Sequence, residues 1–219
     1  MRRVPYLFSV APPGYTAPVR PALVPPARSG FPPTHAVLDE LWAMWVDALG
    51  GALATRPFLF GDGFTLADAS VYGQLGMNLA DPSAAEGLRA RAPRLDAWLR
   101  AIAADRHASA MGAASLQSDL TPLLRAIGRT FVPLMLQNER AYLAAAAAGE
   151  TVFSEPAFDR GRALYDGTLL GHPFRAVVKT FQVQVWRELC TAFAALAPAE
   201  RAHVGALLDV APDDFALAG

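Results

Sequence analysis

Cysteine is nearly missing from this chain: Cys190 is the only one in 219 residues. A lone cysteine excludes an internal disulfide and any cysteine-based zinc site, and it fits a reducing, cytoplasmic setting. Lysine is just as scarce, with Lys179 alone among mostly arginine basic residues, which reads as coding bias more than a functional patch. The formal net charge of −1 leaves no electrostatic footprint for nucleic acid or an anionic membrane. No run approaches the ~18 apolar residues that a spanning helix needs. The apolar stretch after Met1-Arg2-Arg3 is short and broken by Pro5, Pro12 and Pro13, which argues against a secretory signal. No G-x-S-x-G, P-loop, CxxC or HExxH motif is present. Charged residues are only 18% of the chain.

Apolar residues are plentiful, at 53%, and many are Ala, a strong helix former. A chain of this length buries roughly 70% of its unfolded surface and needs no staples. Proline is unevenly spread: nine of the 18 fall within residues 1–33. Each removes a backbone donor and fixes φ, so residues 1–33 read as an extended strap or interdomain linker.

Thr34 can cap a helix whose Leu38, Leu41, Trp42, Trp45, Leu49 and Leu53 recur at three- and four-residue spacing. Further helices are expected over about 65–79, 93–106, 116–148, 177–196 and 198–210. Pro93 and Pro198 suit first turns, whereas Pro133 should kink or break the long helix. Asp81-Pro82-Ser83 reads as a turn closing the second helix. Tyr165–Thr168 and Gly171–Pro173 read as two turns around a short extended excursion. The pattern is all-α, with hardly any strand.

One motif is informative. In Thr65-Leu66-Ala67-Asp68, Thr65 at the N-cap can accept from the Asp68 amide while the Asp68 carboxylate reaches back to the Thr65 amide. The acid also suits the positive end of the helix dipole. A capping box alone is common, but its company is specific. Phe58-Leu59-Phe60-Gly61-Asp62 precedes it and Ala69-Ser70-Val71-Tyr72 follows. The string resembles the segment that opens the central helix of the glutathione transferase C-terminal domain. Pro93-Arg94-Leu95-Asp96-Ala97-Trp98-Leu99 is similar to the next helix of the same family.

The resemblance implies a helical bundle of the glutathione transferase C-terminal type, over residues 34–110. Residues 111–219 would be a helical extension packed on the same bundle, as in some bacterial members. In that family the capping motif is structural, so Thr65 and Asp68 imply fold, not chemistry. The family binds glutathione in a preceding thioredoxin-like domain, with a Tyr, Ser or Cys near the sulfur and a proline loop followed by an acid-Ser pair. Residues 1–33 show no βαβ pattern and no such pair, so that domain is expected to be absent and no cofactor is expected in this chain. Glutathione would be a co-substrate only where a thioredoxin-like domain is supplied, by a partner or by a longer chain; a homodimer is the other candidate assembly.

The family's first C-terminal-domain helix faces an electrophile pocket, which places Trp42, Met44, Trp45 and Tyr72 as candidates to line a pocket for a small apolar ligand. Ordinary core packing is the competing explanation. His35 and Asp39 share a helix face but lack a third ligand, so no metal is expected. Cys190 reads as a small buried hydrophobe. His172, with Tyr165, Asp166 and Lys179 nearby in sequence, is the one clustering of titratable groups in an expected loop. Three functions stay open: part of a glutathione transferase-like enzyme, a helical ligand- or partner-binding module without catalysis, or an enzyme unrelated to glutathione.

Overall fold

The computed structural model describes residues 30–107 and 118–216, and of His35 only the backbone. The small-residue linker expected at 109–114 and nearly all of the proline-rich strap lie outside those residues. Helix dominates. Among the described residues the α-helices are α1 (His35–Ala52), α2 (Leu66–Leu75), α3 (Pro82–Arg91), α4 (Pro93–Ala103), α5 (Thr121–Ala147), α6 (Ser154–Asp159), α7 (Thr180–Ala194) and α8 (Pro198–Leu208). A single hairpin, β1 (Leu164–Leu169) with β2 (His172–Val177), lies between α6 and α7. The fold is therefore mostly α, with this one small sheet. The described residues divide into two compact units, 38–107 with 118–123, and 30–37 with 124–216.

In the first unit α1 turns Val46, Leu49 and Ala52 inward, and Leu53 just after it is buried too. Trp42 and Trp45, expected on that stripe, are only half-buried and flank it. The central helix α2 spans ten residues and then tightens into a 3-10 turn, Gly76–Leu79. The chain does not end its helical run there. Asp81 accepts from the Ser83 amide at 2.9 Å and the Ala84 amide at 3.1 Å, and Pro82 occupies the first helical turn. The expected turn is thus the N-cap of an additional helix, α3, because a carboxylate can satisfy two amides that a new helix leaves open. Helix α4 carries Leu95, Trp98, Leu99 and Ile102 on its buried face, at spacings of three, one and three residues.

In the second unit the core brings Val132 and Met135 of α5 against Trp186, Cys190 and Phe193 of α7, with Phe215 behind them. The rings of Phe193 and Phe215 stack at 4.4 Å, and those of Trp186 and Phe215 at 5.3 Å. Pro133 sits inside α5 without ending it. Val132 and Met135 are buried on either side, so tertiary packing holds the helix through the lost backbone bond. Gly128 lets α5 meet the end of α8: a Cβ there would collide with the Leu208 carbonyl oxygen.

The hairpin corrects the expected turns. Its loop is Leu170-Gly171, with φ of 51° and 79°, the pair of positive values that a type I′ turn requires. Asp166-Gly167 lies within β1. Gly167 is needed there for close approach, since a Cβ would come within 2.6 Å of the Phe174 ring and the Gln137 side chain. Two adjacent residues of α5 pin the hairpin and its exit. Gln137 Nε2 donates to the Thr168 carbonyl at 3.0 Å, and its Oε1 accepts from the Thr168 amide at 2.8 Å. Asn138 does the same for Lys179, at 3.0 and 2.9 Å.

Candidate functional site

The loop that leads into α2 is built around one carboxylate. Phe58 and Gly61 exchange backbone hydrogen bonds at 3.1 and 3.2 Å, folding residues 58–61 into a tight turn. Asp68, fully buried, reaches that turn: its Oδ1 accepts from the Leu59 amide at 2.8 Å. Its Oδ2 accepts from the Thr65 amide at 2.9 Å and the Thr65 hydroxyl at 2.6 Å. Both oxygens are therefore spent on structure. The segment leading into that turn is held from α4, where Trp98 Nε1 donates to Pro57 O at 2.9 Å and Arg94 donates to Ala54 O at 2.9 Å. Arg56 donates to Leu59 O at 3.0 Å and pairs with Asp119. Sequence reasoning identified Asp68 and Trp98 separately; that both close on residues 57–59 is visible only in three dimensions.

Residues 35–101 match the family model described as glutathione S-transferase, C-terminal domain. That segment is similar to the C-terminal domain of glutathione S-transferases. It holds α1 to α4 and the loop organised by Asp68. No curated protein and no solved structure matches the chain.

The four candidate pocket residues lie on α1 and α2. Trp42 lines a cavity of about 420 Å³ with Asn78, Ser83, Ala84, Gly87, Ala90 and Arg91. Met44, Trp45 and Tyr72, each half-buried, do not line it. The Tyr72 ring instead packs over Gly76, one turn along, where a Cβ would stand 3.2 Å from it. On the cavity rim Arg91 binds Asp47 through Nε at 2.8 Å and Nη2 at 2.6 Å. Ser83 donates its hydroxyl to Asp81 at 2.7 Å. Asp81 is thereby held well below the usual carboxylate range, by the Ser83 hydroxyl first and the Ala84 amide second.

In the second unit a depression of about 650 Å³ runs along α7, lined by Tyr142, Val183, Arg187 and Thr191 among others. Its arginine is committed: Arg187 Nε donates to the buried Glu139 at 2.7 Å, and its guanidinium lies 5.5 Å from the Tyr142 ring centre. The charged residues near His172 are held in ion pairs. Asp166 pairs with Arg175 across the hairpin at 2.7 Å, and Lys179 pairs with Glu155. Tyr165 packs on Phe174, and burial pushes its hydroxyl up to about 12. Burial also pushes the Cys190 thiol up to about 11, with Glu139 adding to the effect. A protonated, buried thiol is a packing group, not a nucleophile. Among the described residues no three His, Cys, Asp or Glu side chains are placed to hold a metal ion. No described helix is long and apolar enough to cross a membrane.

Proposed function

We propose that this protein contributes the helical, acceptor-side half of a glutathione transferase-like activity in the bacterial cytoplasm. It conjugates glutathione to an apolar electrophile only together with a thioredoxin-like domain, whether in a partner or in a longer chain. The observation that carries this reading is the match of residues 35–101 to the transferase C-terminal domain. Two features of the described residues support the division of labour. Their one sheet is an antiparallel hairpin closed by a two-residue loop, which contains no βαβ unit. The best-formed polar constellation, around Asp68, has both carboxylate oxygens bound to the backbone and side chain of its own loop. It can orient a helix but cannot activate a thiol.

A transferase assay with glutathione and a chloronitroaromatic electrophile tests this. The pure chain should give no turnover above the uncatalysed reaction, and turnover should appear when a thioredoxin-like glutathione-binding domain is supplied. Turnover by the chain alone would show that the reacting groups lie within it. The reading as a binding module without catalysis keeps one specific observation, the Trp42 cavity, which needs no glutathione.

A further inference from the structure

We propose that α7 is a docking surface for a second copy of this chain, packed antiparallel about a two-fold axis near residue 186. The inference goes beyond the transferase reading and does not depend on it. It starts from the two apolar sides of α7. Val183, Trp186, Cys190 and Phe193 are buried on one side. On the outer side Phe181 is 75% exposed and Leu189 43%, with Val185 half-buried between them. These three recur every four residues and so form a stripe along the helix, not scattered apolar positions. A helix that is apolar on two sides calls for a second neighbour.

The helix itself indicates which neighbour. When helices interlock, a knob from one enters a hole formed by residues i, i+3, i+4 and i+7 of the other. Glu188, Thr191, Ala192 and Ala195 have that spacing, and all four line the depression along α7. The two alanines keep the hole open. Phe181, the largest exposed knob, lies two turns earlier on the same helix. A helix that carries both knob and hole is self-complementary, which is what a two-fold interface requires. Antiparallel pairing seats Phe181 of each copy in the hole of the other. The charges favour the same arrangement. Glu188 is exposed and accepts from Gln184 Nε2 at 3.0 Å, while Arg187 spends its Nε on Glu139 and stays 42% exposed. An axis near residue 186 brings Gln184 and Arg187 of each copy opposite Glu188 of the other. A parallel pairing would instead set Glu188 against Glu188. One 15-residue helix per copy gives a contact at the small end of specific interfaces, so the dimer is weak and depends on concentration.

Sedimentation velocity of the purified protein over a concentration series is the first test. The mass should rise from 23.3 kDa toward twice that value at millimolar concentration. Phe181→Glu and Ala192→Arg should each weaken association by about tenfold or more, the loss expected at the centre of a small interface. Both positions are exposed, so thermal stability should stay unchanged. The register is read separately by NMR, in a mixture of differently isotope-labelled copies, as contacts between the Phe181 ring of one copy and the Ala192 methyl group of the other. Within one copy the two residues stand about 16 Å apart along the helix, too far for such a contact. A monomer at every concentration, unchanged association in either variant, or a dimer without the Phe181–Ala192 contact would each overturn the proposal. Transferase activity plays no part in the readout, so this interface and the transferase reading can fail separately.

Discussion

Asp68 shows how much of the first unit hangs on one side chain. Its buried carboxylate joins the start of α2 to the turn at residues 58–61, using both oxygens. Asp68→Ala would leave the Leu59 and Thr65 amides without partners in the interior. The expected cost is about 2–4 kcal/mol, read as a lower denaturant midpoint with an unchanged slope. Gly128 makes the equivalent point by steric means. A methyl group there collides with the Leu208 carbonyl, so Gly128→Ala should destabilise by about 1–3 kcal/mol. Gly87→Ala, an ordinary helical glycine with open space, should stabilise by about 0.5–1 kcal/mol. The opposite signs of one chemical change at two glycines can be checked by thermal unfolding of both variants. The box at Thr65 and Asp68 is legible in the sequence, because its partners are three residues apart. The bond from Leu59 to Asp68 and the collision at Gly128 involve partners that only the folded chain brings together.

At the scale of elements, long amphipathic helices are the most legible feature: α1, α4, α5 and α7 lie where their apolar spacing places them. Spacing misses the six-residue α6 and also α3. The Ala-rich sequence of α3 has little apolar periodicity, and its start is marked only by Asp81 and Pro82. That start is testable through pH. The folded state depresses the Asp81 carboxyl, so its contribution is present above the unfolded carboxyl's range and is lost as pH falls. Asp81→Ala should therefore cost about 1 kcal/mol at neutral pH, and the difference from the parent should shrink as pH drops below about 4. A difference that stays constant with pH would show that the carboxylate's charge is not what caps α3. The hairpin was legible only as something extended. Asp166-Gly167 looks like a turn by composition, but Gly167 is in a strand because Phe174 and Gln137 occupy the space of a side chain.

For the whole molecule, the two units differ in how they are secured. The first gathers a loop around Asp68, Trp98 and Arg56. The second uses the amide side chains of Gln137 and Asn138 as substitutes for backbone pairing. Asn138→Ala should cost about 1–2 kcal/mol, since it leaves the Lys179 amide unpaired while the Lys179 carbonyl keeps only the Val183 amide. Hydrogen exchange at the Lys179 amide should accelerate more than at Thr168, with the order reversed in Gln137→Ala. Neither residue belongs to a sequence motif, which is why the pattern of apolar residues alone did not indicate them. The transferase-type domain, by contrast, is carried by contiguous residues, and that is why residues 35–101 could be related to a family while residues 118–216 could be described only by their packing.

The proposed function requires that glutathione recognition lie outside this chain. Calorimetric titration of millimolar glutathione into the pure protein tests it most directly. No saturable heat is expected in the absence of a thioredoxin-like domain. A saturable one-to-one isotherm with the chain alone would contradict it and place glutathione recognition within these residues.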